Sequence, residues 1–438
     1  MAAEDRFDCV IVGAGPAGIT AAYKLAKNGL NVIVLERGSH PGAKNVMGGI
    51  LFTPILAKLI PEFWKEAPLE RRISNRRFCL LSEDTELSFS FDTAKFDEPP
   101  FNNSFTVLRA KFDQWFASRT EEVGAMVISG AVVDELLWDK TRCLGVKTRL
   151  VDGNLYADVV IIAEGANAVL SVKEGLKTMP SDSQMCLAVK EIISLPQEVI
   201  EDRFCVIDGK GVAIEYFGDA VKGMFGNGFI YTNKESLSVG IACMVSEMRA
   251  KKVKPHELLD YFKDHSCVHC LLRGGKTEEY CAHLIPETGY SGLPENLVGD
   301  GVMLIGDCAG LLNTSFFHEG VNLAMASGLM AAETVIEAKR KKDFSKESLS
   351  MYKEKLEKSF VIKDLKKFQK FPYLGSKHPE LLKEFPNFLA ELVTDYFTVD
   401  EKPKAEVEKE IIKKFKEKVG FLKFGRKMLV LAQAMGWI

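Results

Sequence analysis

The chain has 438 residues, 47% of them apolar and 27% charged, with a formal net charge of −3. This is an ordinary globular composition, long enough for about two or three domains, and its charge balance gives no reason to expect nucleic acid as a partner. The stretch before the first strand is short and acidic, so no secretory signal is expected; no apolar run reaches the roughly 18 residues of a spanning helix, and the scattered ten cysteines suit reduced cytosolic thiols better than a disulfide framework.

The first element is an apolar strand from Asp8 that runs straight into Gly13-Ala14-Gly15-Pro16-Ala17-Gly18. A helical pattern follows from Ile19 to Asn28, then a second apolar strand, Asn31 to Leu35, ending at Glu36. That order is the βαβ dinucleotide unit. Gly13 allows the tight turn, Gly15 lets backbone approach a pyrophosphate, and Gly18 lets helix and strand pack closely. The helix N-terminus offers N–H groups and partial positive charge to phosphates, and Glu36 can accept hydrogen bonds from a ribose.

A Gly-rich loop runs from Pro41 to Ile50, and a helical stretch covers Pro54 to Glu66. Phe78 to Phe91 alternates like strands outside the nucleotide domain. Leu108 to Gly124 reads as a helix burying Phe112, Trp115 and Phe116. Met126 to Leu137 and Cys143 to Arg149 read as strands, and Asp152-Gly153 turns the chain into another, Leu155 to Ala163. From Gln184 to Val245, strand-like runs separated by Gly, Asp and Asn suggest an antiparallel sheet. Leu258 to Leu272 reads as an amphipathic helix. Gly301 to Ile305 is a strand, Gly320 to Lys339 a long helix of small residues, and the remainder is helical and lysine-rich.

The expected fold class is therefore α/β. An interrupted Rossmann-like nucleotide domain would take residues 1–75, 105–180 and 285–340. An antiparallel-sheet substrate domain would take 76–104 and 181–284, and a helical C-terminal region 341–438.

Three further segments carry chemistry. Val302 to Gly310 is a strand ending in Gly306-Asp307, where a carboxylate can bind a ribityl hydroxyl. Tyr156 to Asn167 is a strand ending in Glu164-Gly165-Ala166. Arg109, in Leu108-Arg109-Ala110-Lys111-Phe112-Asp113, can reach a cofactor with a fixed charge. With the glycine motif, this set resembles the FAD-dependent oxidoreductases of the glutathione-reductase type. Lys44-Asn45-Val46-Met47-Gly48-Gly49-Ile50 and Gly320 to Gly328 narrow the resemblance to the FixC branch of electron transfer flavoprotein–quinone oxidoreductases, over about residues 5–340.

The resemblance implies FAD, and roles for particular residues. Gly13, Ala14, Gly15, Pro16, Ala17 and Gly18 would cradle the pyrophosphate, Glu36 would hold the adenosine ribose, and Arg37 would border the adenine. Arg109 would lie along the ribityl–phosphate chain, with Glu164, Gly165, Gly306 and Asp307 also at the cofactor. Asn45, Gly48, Gly49 and Ile50 would lie against the isoalloxazine. Gly320, Val321 and Asn322 would bring N–H groups to the pyrimidine end, where negative charge develops on reduction.

The implied activity is electron transfer from an electron transfer flavoprotein, in a form that can bifurcate electrons, to a membrane quinone (menaquinone or ubiquinone). The family's membrane enzyme carries an iron–sulfur cluster on four cysteines near its C-terminus. Here Cys308 is the last cysteine, which leaves no thiolate for such a cluster in the final 130 residues. The implied partners are electron transfer flavoprotein α and β subunits and a small ferredoxin-like iron–sulfur subunit. The implied location is the cytoplasm, peripheral on the inner face of the cytoplasmic membrane. Two other readings fit the scaffold: a flavin-dependent reductase of isoprenoid double bonds, similar to geranylgeranyl reductases, and a non-catalytic flavin-containing docking subunit.

Other features remain open. No metal site is expected, although Cys267, Cys270, Cys281 and His283 form a tempting pattern; ordinary thiols or a redox pair are the alternatives. His318, just before Gly320, either delivers a proton to a quinone or makes a structural hydrogen bond in its loop. From Lys339 to Lys370 twelve basic residues stand against five acidic ones, and Phe421 to Ile438 is basic and then apolar. That end suits an interfacial membrane segment or a helix packed on protein.

Overall fold

The computed structural model describes residues 6–43, 47, 49–151 and 153–437. Asn45 and Gly48 of the expected site, and Asp152 of the expected turn, lie outside the described residues. Two compact units form, each discontinuous in sequence: residues 1–72, 98–185 and 283–369, and residues 73–97, 186–282 and 370–438.

The first unit is built on an eight-stranded sheet. Arg6–Val12 lies between Asn154–Ile162 and Val32–Glu36 and is parallel to both, with Val12 opposite Ile162 and Leu35. Val302–Leu304 adds in parallel outside Asn154–Ile162, and Met126–Ser129 outside Val32–Glu36. A parallel sheet is covered on both faces, so its strands read as unbroken apolar runs. Ile11, Val34, Val160 and Ile161 are fully buried, each side chain contributing about 1.5–3 kcal/mol. All these strands end near the same edge, where the cofactor motifs follow them in sequence.

The helices of this unit differ in detail from the sequence pattern. Arg109–Glu122 buries Phe112 and Phe116 but leaves Trp115 half-buried. The stretch from Pro54 splits into Pro54–Leu59 and a single 3-10 turn, Phe63–Lys65. Pro61 explains the break, because the residue before a proline is pushed out of the helical region, and Ile60 sits at φ −127°, ψ 88°. The long helix is Val321–Lys341.

The second unit is an antiparallel sheet. Met185–Ser194, Ser236–Met244, Gly226–Thr232 and Lys210–Gly218 follow one another, with the later part of Leu69–Leu81 next and Glu86–Asp92 hairpinned onto it. Val189, Ile214, Ile230, Val239 and Ile241 bury one face against the helices Gln197–Phe204 and Pro255–Asp264.

Two expectations need correction here. Leu258 to Leu272 is not one helix: His265 is extended (φ −58°, ψ 133°) between Pro255–Asp264 and Ser266–Leu272. Its Nδ1 accepts from the Cys267 N–H at 3.2 Å, so the imidazole caps the second helix. The C-terminal helices also do not form a separate region from 341. Leu349, Tyr352, Leu356, Val361 and Leu365 belong to the first unit's core. Only from Lys370 does the chain join the second unit, where Pro386 of Glu380–Phe397 packs on the turn at Gly218.

Candidate functional site

The glycine turn is shaped by contact. Gly13 has φ +106°, and a Cβ there would lie 2.5 Å from the Ala163 carbonyl oxygen. A Cβ on Gly18 would strike the Gly13 carbonyl. Gly15 is the N-cap of Pro16–Lys27 with φ −78°, ψ 176°, and Pro16 occupies the first helical position. Among the described residues no side chain caps this terminus, and its first turn holds no acid. The N–H groups of Ala17 and Gly18 have no intrahelical acceptor, which leaves a positive, donor-rich end for an anion.

Glu36 is fixed beside that turn. Its Oε2 accepts from the Ala14 N–H at 3.0 Å and its Oε1 from the Gly38 N–H at 2.6 Å. Each oxygen keeps a second acceptor position for a hydroxyl. Arg37 is exposed at the next position.

Asp307 lies in the 3-10 turn Gly306–Ala309, directly after the strand Val302–Leu304 and Ile305. Gly306 (φ +67°) donates its N–H to Ser327 Oγ at 2.9 Å, and a Cβ on it would lie 3.0 Å from Ala17 Cβ. The Asp307 carboxylate has no side-chain or backbone hydrogen bond among the described residues. Burial raises its pKa, while Arg109 and Lys177 pull it back down.

Arg109 is not a free charge. Its Nε and Nη2 donate to Asp113 at 2.7 and 2.6 Å, a bidentate pair in which Asp113 is 1% exposed. Burial opposes its charge, but Asp113 outweighs that and holds its pKa above the ordinary value. The guanidinium is therefore rigid, with Asp307 in its field.

Glu164 is also occupied. Both its oxygens accept from N–H groups, those of Leu170 and Ser171, at 2.7 Å. Its side chain caps the helix Val169–Lys173, so what it offers a cofactor is backbone. Gly165 (φ +77°) has open space where a Cβ would stand. Gly49 (φ +135°) gives its carbonyl to the Val107 N–H, and Ile50 starts a short strand paired with Ser104–Val107.

Gly320 is the N-cap of the long helix, whose first turn again lacks an acid and a side-chain cap. Asn322 is 2% exposed; its Oδ1 accepts from the Ile55 N–H at 3.3 Å and its Nδ2 donates to Glu319 at 2.6 Å. The amide pins the helix start, and the N–H groups of this turn are what remains to offer. His318 has φ +45° and donates its N–H to the Ser315 carbonyl.

Sequence reasoning missed Lys177 and Glu287, named Asp113 only as part of the Arg109 segment, and weighed His283 only as a metal ligand. Burial lowers the pKa of Lys177, which lies within the field of Asp307 and Glu164. Burial together with Arg109 and Arg37 lowers that of His283. None of the four stands in a glycine motif. The Asp113 pairing alone had a signal, the i,i+4 spacing from Arg109 on a helix.

Cys267 and Cys270 lie on the short helix Ser266–Leu272, and Cys270 Sγ donates to the Cys267 carbonyl. Among the described residues no three His, Cys, Asp or Glu side chains stand together as a metal site.

Relatives decide the family. The chain is 44% identical to protein FixC of Bradyrhizobium diazoefficiens over 415 residues, covering 94% of this chain and 95% of that one. The chain belongs to the FixC family. It is also 39% identical to a probable electron transfer flavoprotein–quinone oxidoreductase, YdiS, of Escherichia coli, with 93% and 94% of the two chains covered. Residues 371–436 match the ETF-QO/FixC family C-terminal domain, and residues 3–66 match the Thi4 family. Among solved structures, a geranylgeranyl bacteriochlorophyll reductase-like protein of Thermoplasma acidophilum superposes with a TM-score of 0.70 at 19% identity, covering 98% and 99% of the two chains. A flavin-dependent brominase superposes with a TM-score of 0.65 at 17% identity, covering 94% of this chain and 100% of the other. These two likenesses establish the fold.

The FixC-family chain is an FAD-dependent electron-transfer oxidoreductase. Its residues fit FAD: a cradle at Gly13 and Gly18 that a Cβ would fill, an uncapped helix end, and an Asp307 carboxylate without a hydrogen-bond partner among the described residues. Bound FAD supplies the redox chemistry; the protein binds, orients and tunes it.

Proposed function

We propose that this FixC-family chain passes electrons from an electron transfer flavoprotein, one able to bifurcate electrons, through its FAD to a membrane quinone, either menaquinone or ubiquinone. The observation that carries the reading is the match of residues 371–436 to the ETF-QO/FixC C-terminal domain, joined to relatives of the same name over nearly the whole chain. Electron transfer flavoprotein α and β subunits are the donor, and a small ferredoxin-like iron–sulfur subunit completes the complex.

In this reading Gly15, Ala17 and Gly18 hold the pyrophosphate by backbone, Glu36 takes a ribose hydroxyl, and Asp307 takes a ribityl hydroxyl. Burial raises the pKa of Asp307, and Arg109 and Lys177 pull it part of the way back down. The first-turn N–H groups of Val321–Lys341 stabilise the negative charge that reduction places on the flavin. Gly49 and Ile50 lie against its isoalloxazine.

No helix among the described residues is long and apolar enough to cross a membrane. Peripheral contact with the inner face of the cytoplasmic membrane is supported by the helix Phe421–Ala434. It exposes Phe421, Leu422 and Leu429 beside Lys423, Arg426 and Lys427, with Trp437 exposed after it.

The test is reduction by the donor. Purified holoprotein mixed anaerobically with reduced electron transfer flavoprotein α and β, and then separated from it, should carry reduced flavin. Flavin that stays oxidised in the separated holoprotein, yet is still reducible by dithionite, contradicts the donor assignment.

A further inference from the structure

Glu287 is the first residue after the strand Lys276–Pro286, and its N–H donates to the Gln184 carbonyl at 2.8 Å. One carboxyl oxygen, Oε2, is buried and makes no hydrogen bond among the described residues. The carboxyl accepts from the Thr314 hydroxyl, and His318 is the titratable group whose charge acts on it. Burial pushes its pKa up to about 7, against the pull of Thr314 and His318. A carboxyl in that state holds a proton yet can release it near neutral pH.

Its two partners sit on one loop, and that loop joins two cofactor segments. It leaves the Gly306–Ala309 turn and enters the long helix at Gly320. Asn313 and Glu319 close its ends with reciprocal backbone hydrogen bonds of 3.1 and 2.9 Å. Ser315 donates its N–H to Asn313 Oδ1, and the His318 N–H donates to the Ser315 carbonyl. His318 is thereby held in the left-handed region, where a non-glycine residue stays only if its surroundings impose it. Glu319, next to it, is raised by burial, drawn down by Asn322 and raised again by Asp364. Its carboxylate is committed to Asn322, and the acids whose charges act on this loop from outside it are Glu287, beside Thr314 and His318, and Asp364, beside Glu319.

We propose that Glu287, acting through Thr314 and His318, is the proton-holding residue for reduction of the electron acceptor. The proposal rests on the quinone reading above. A quinone takes up two electrons and two protons to become a quinol. Bound FAD, once reduced, would supply both electrons and one of the protons. His318 gives the second: its N–H bond breaks as a quinone O–H bond forms. Glu287 then returns a proton to the imidazole and is itself refilled from water. Glu287 is a positioning residue in this scheme, and His318 is the group that meets the acceptor.

The experiment compares wild type, Glu287→Gln and Glu287→Asp as holoproteins. Reduced protein is mixed anaerobically with a short-chain menaquinone analogue across neutral pH, and infrared difference spectra follow the protonated-carboxyl C=O band through the same titration. Wild-type reoxidation should inflect near neutral pH. Glu287→Gln should lose the inflection and slow about tenfold, below the usual range for a direct acid, while Glu287→Asp should restore part of the rate. A carboxyl band that titrates near neutral pH should vanish in Glu287→Gln and shift in His318→Gln. Unaltered pH profiles in Glu287→Gln, with full flavin occupancy, overturn the proposal. If no quinone reoxidises even the wild type, the quinone reading fails. The infrared titration then decides the Glu287–His318 coupling by itself, and absence of the band shift overturns it.

Discussion

Gly328 of the long helix meets the carbonyl of Ala17 in the helix that follows the glycine turn, so closely that a Cβ on Gly328 would collide with that backbone. Ala324, Ala331 and Ala332 continue the close approach, all buried. This packing fixes two uncapped helix ends relative to one sheet, Pro16–Lys27 and Val321–Lys341. Gly328→Val must push the helices apart. We expect a loss of about 1–3 kcal/mol or more, read as a lower Tm, together with a lower flavin-to-protein ratio. A normal Tm and full flavin would show that the contact does not set the cradle.

The Asp307 carboxylate has no hydrogen-bond partner among the described residues and lies in the field of Arg109 and Lys177. Asp307→Ala should weaken FAD by roughly tenfold to a hundredfold, the scale of one or two lost charge-assisted hydrogen bonds. Asp307→Asn should weaken it less, because one acceptor remains. Flavin release in dilution series measures both, and equal occupancy in all three proteins would remove the ribityl role.

Glu36→Ala leaves the N–H groups of Ala14 and Gly38 without their acceptors. Its cost is expected at about 1–3 kcal/mol in the apoprotein, before any cofactor is considered. Thermal unfolding of the apoprotein separates this from the ribose contact: a cost seen only in the holoprotein would mean the two backbone bonds contribute little.

Glu287 also sets a pH dependence. Its folded pKa is raised from 4.5 to about 7, so between those values the folded state binds a proton that the unfolded state has lost. Stability from this group is present below the unfolded value and falls as pH rises through about 7. Glu287→Gln removes that slope. The variant's Tm should therefore rise relative to wild type on going from mildly acidic to mildly alkaline buffer, and parallel Tm curves would contradict it.

The parts of the site visible in the sequence are those where backbone must come close. Gly13, Gly18 and Gly306 announce themselves because no other residue fits the space. Side-chain use was far less legible. Glu164 and Asn322 stand in the right motifs, yet their polar atoms are spent on Leu170, Ser171, Ile55 and Glu319. Lys177 and Glu287 reach the site by tertiary packing, and no local pattern marks them. The C-terminal boundary was misplaced for a similar reason. Leu349, Tyr352 and Leu356 follow the same helical rhythm as residues after Lys370, and only the core they join tells the two apart.

In the proposed function this FAD hands electrons to a quinone. The direct measurement is anaerobic: the bound flavin is reduced stoichiometrically, a short-chain menaquinone analogue is added, and the oxidised-flavin band is followed with time. Rapid return of the band, with one quinol formed per flavin, is the predicted result. Reduced flavin that stays stable for minutes beside the quinone, yet reoxidises with an isoprenoid alkene, would contradict it.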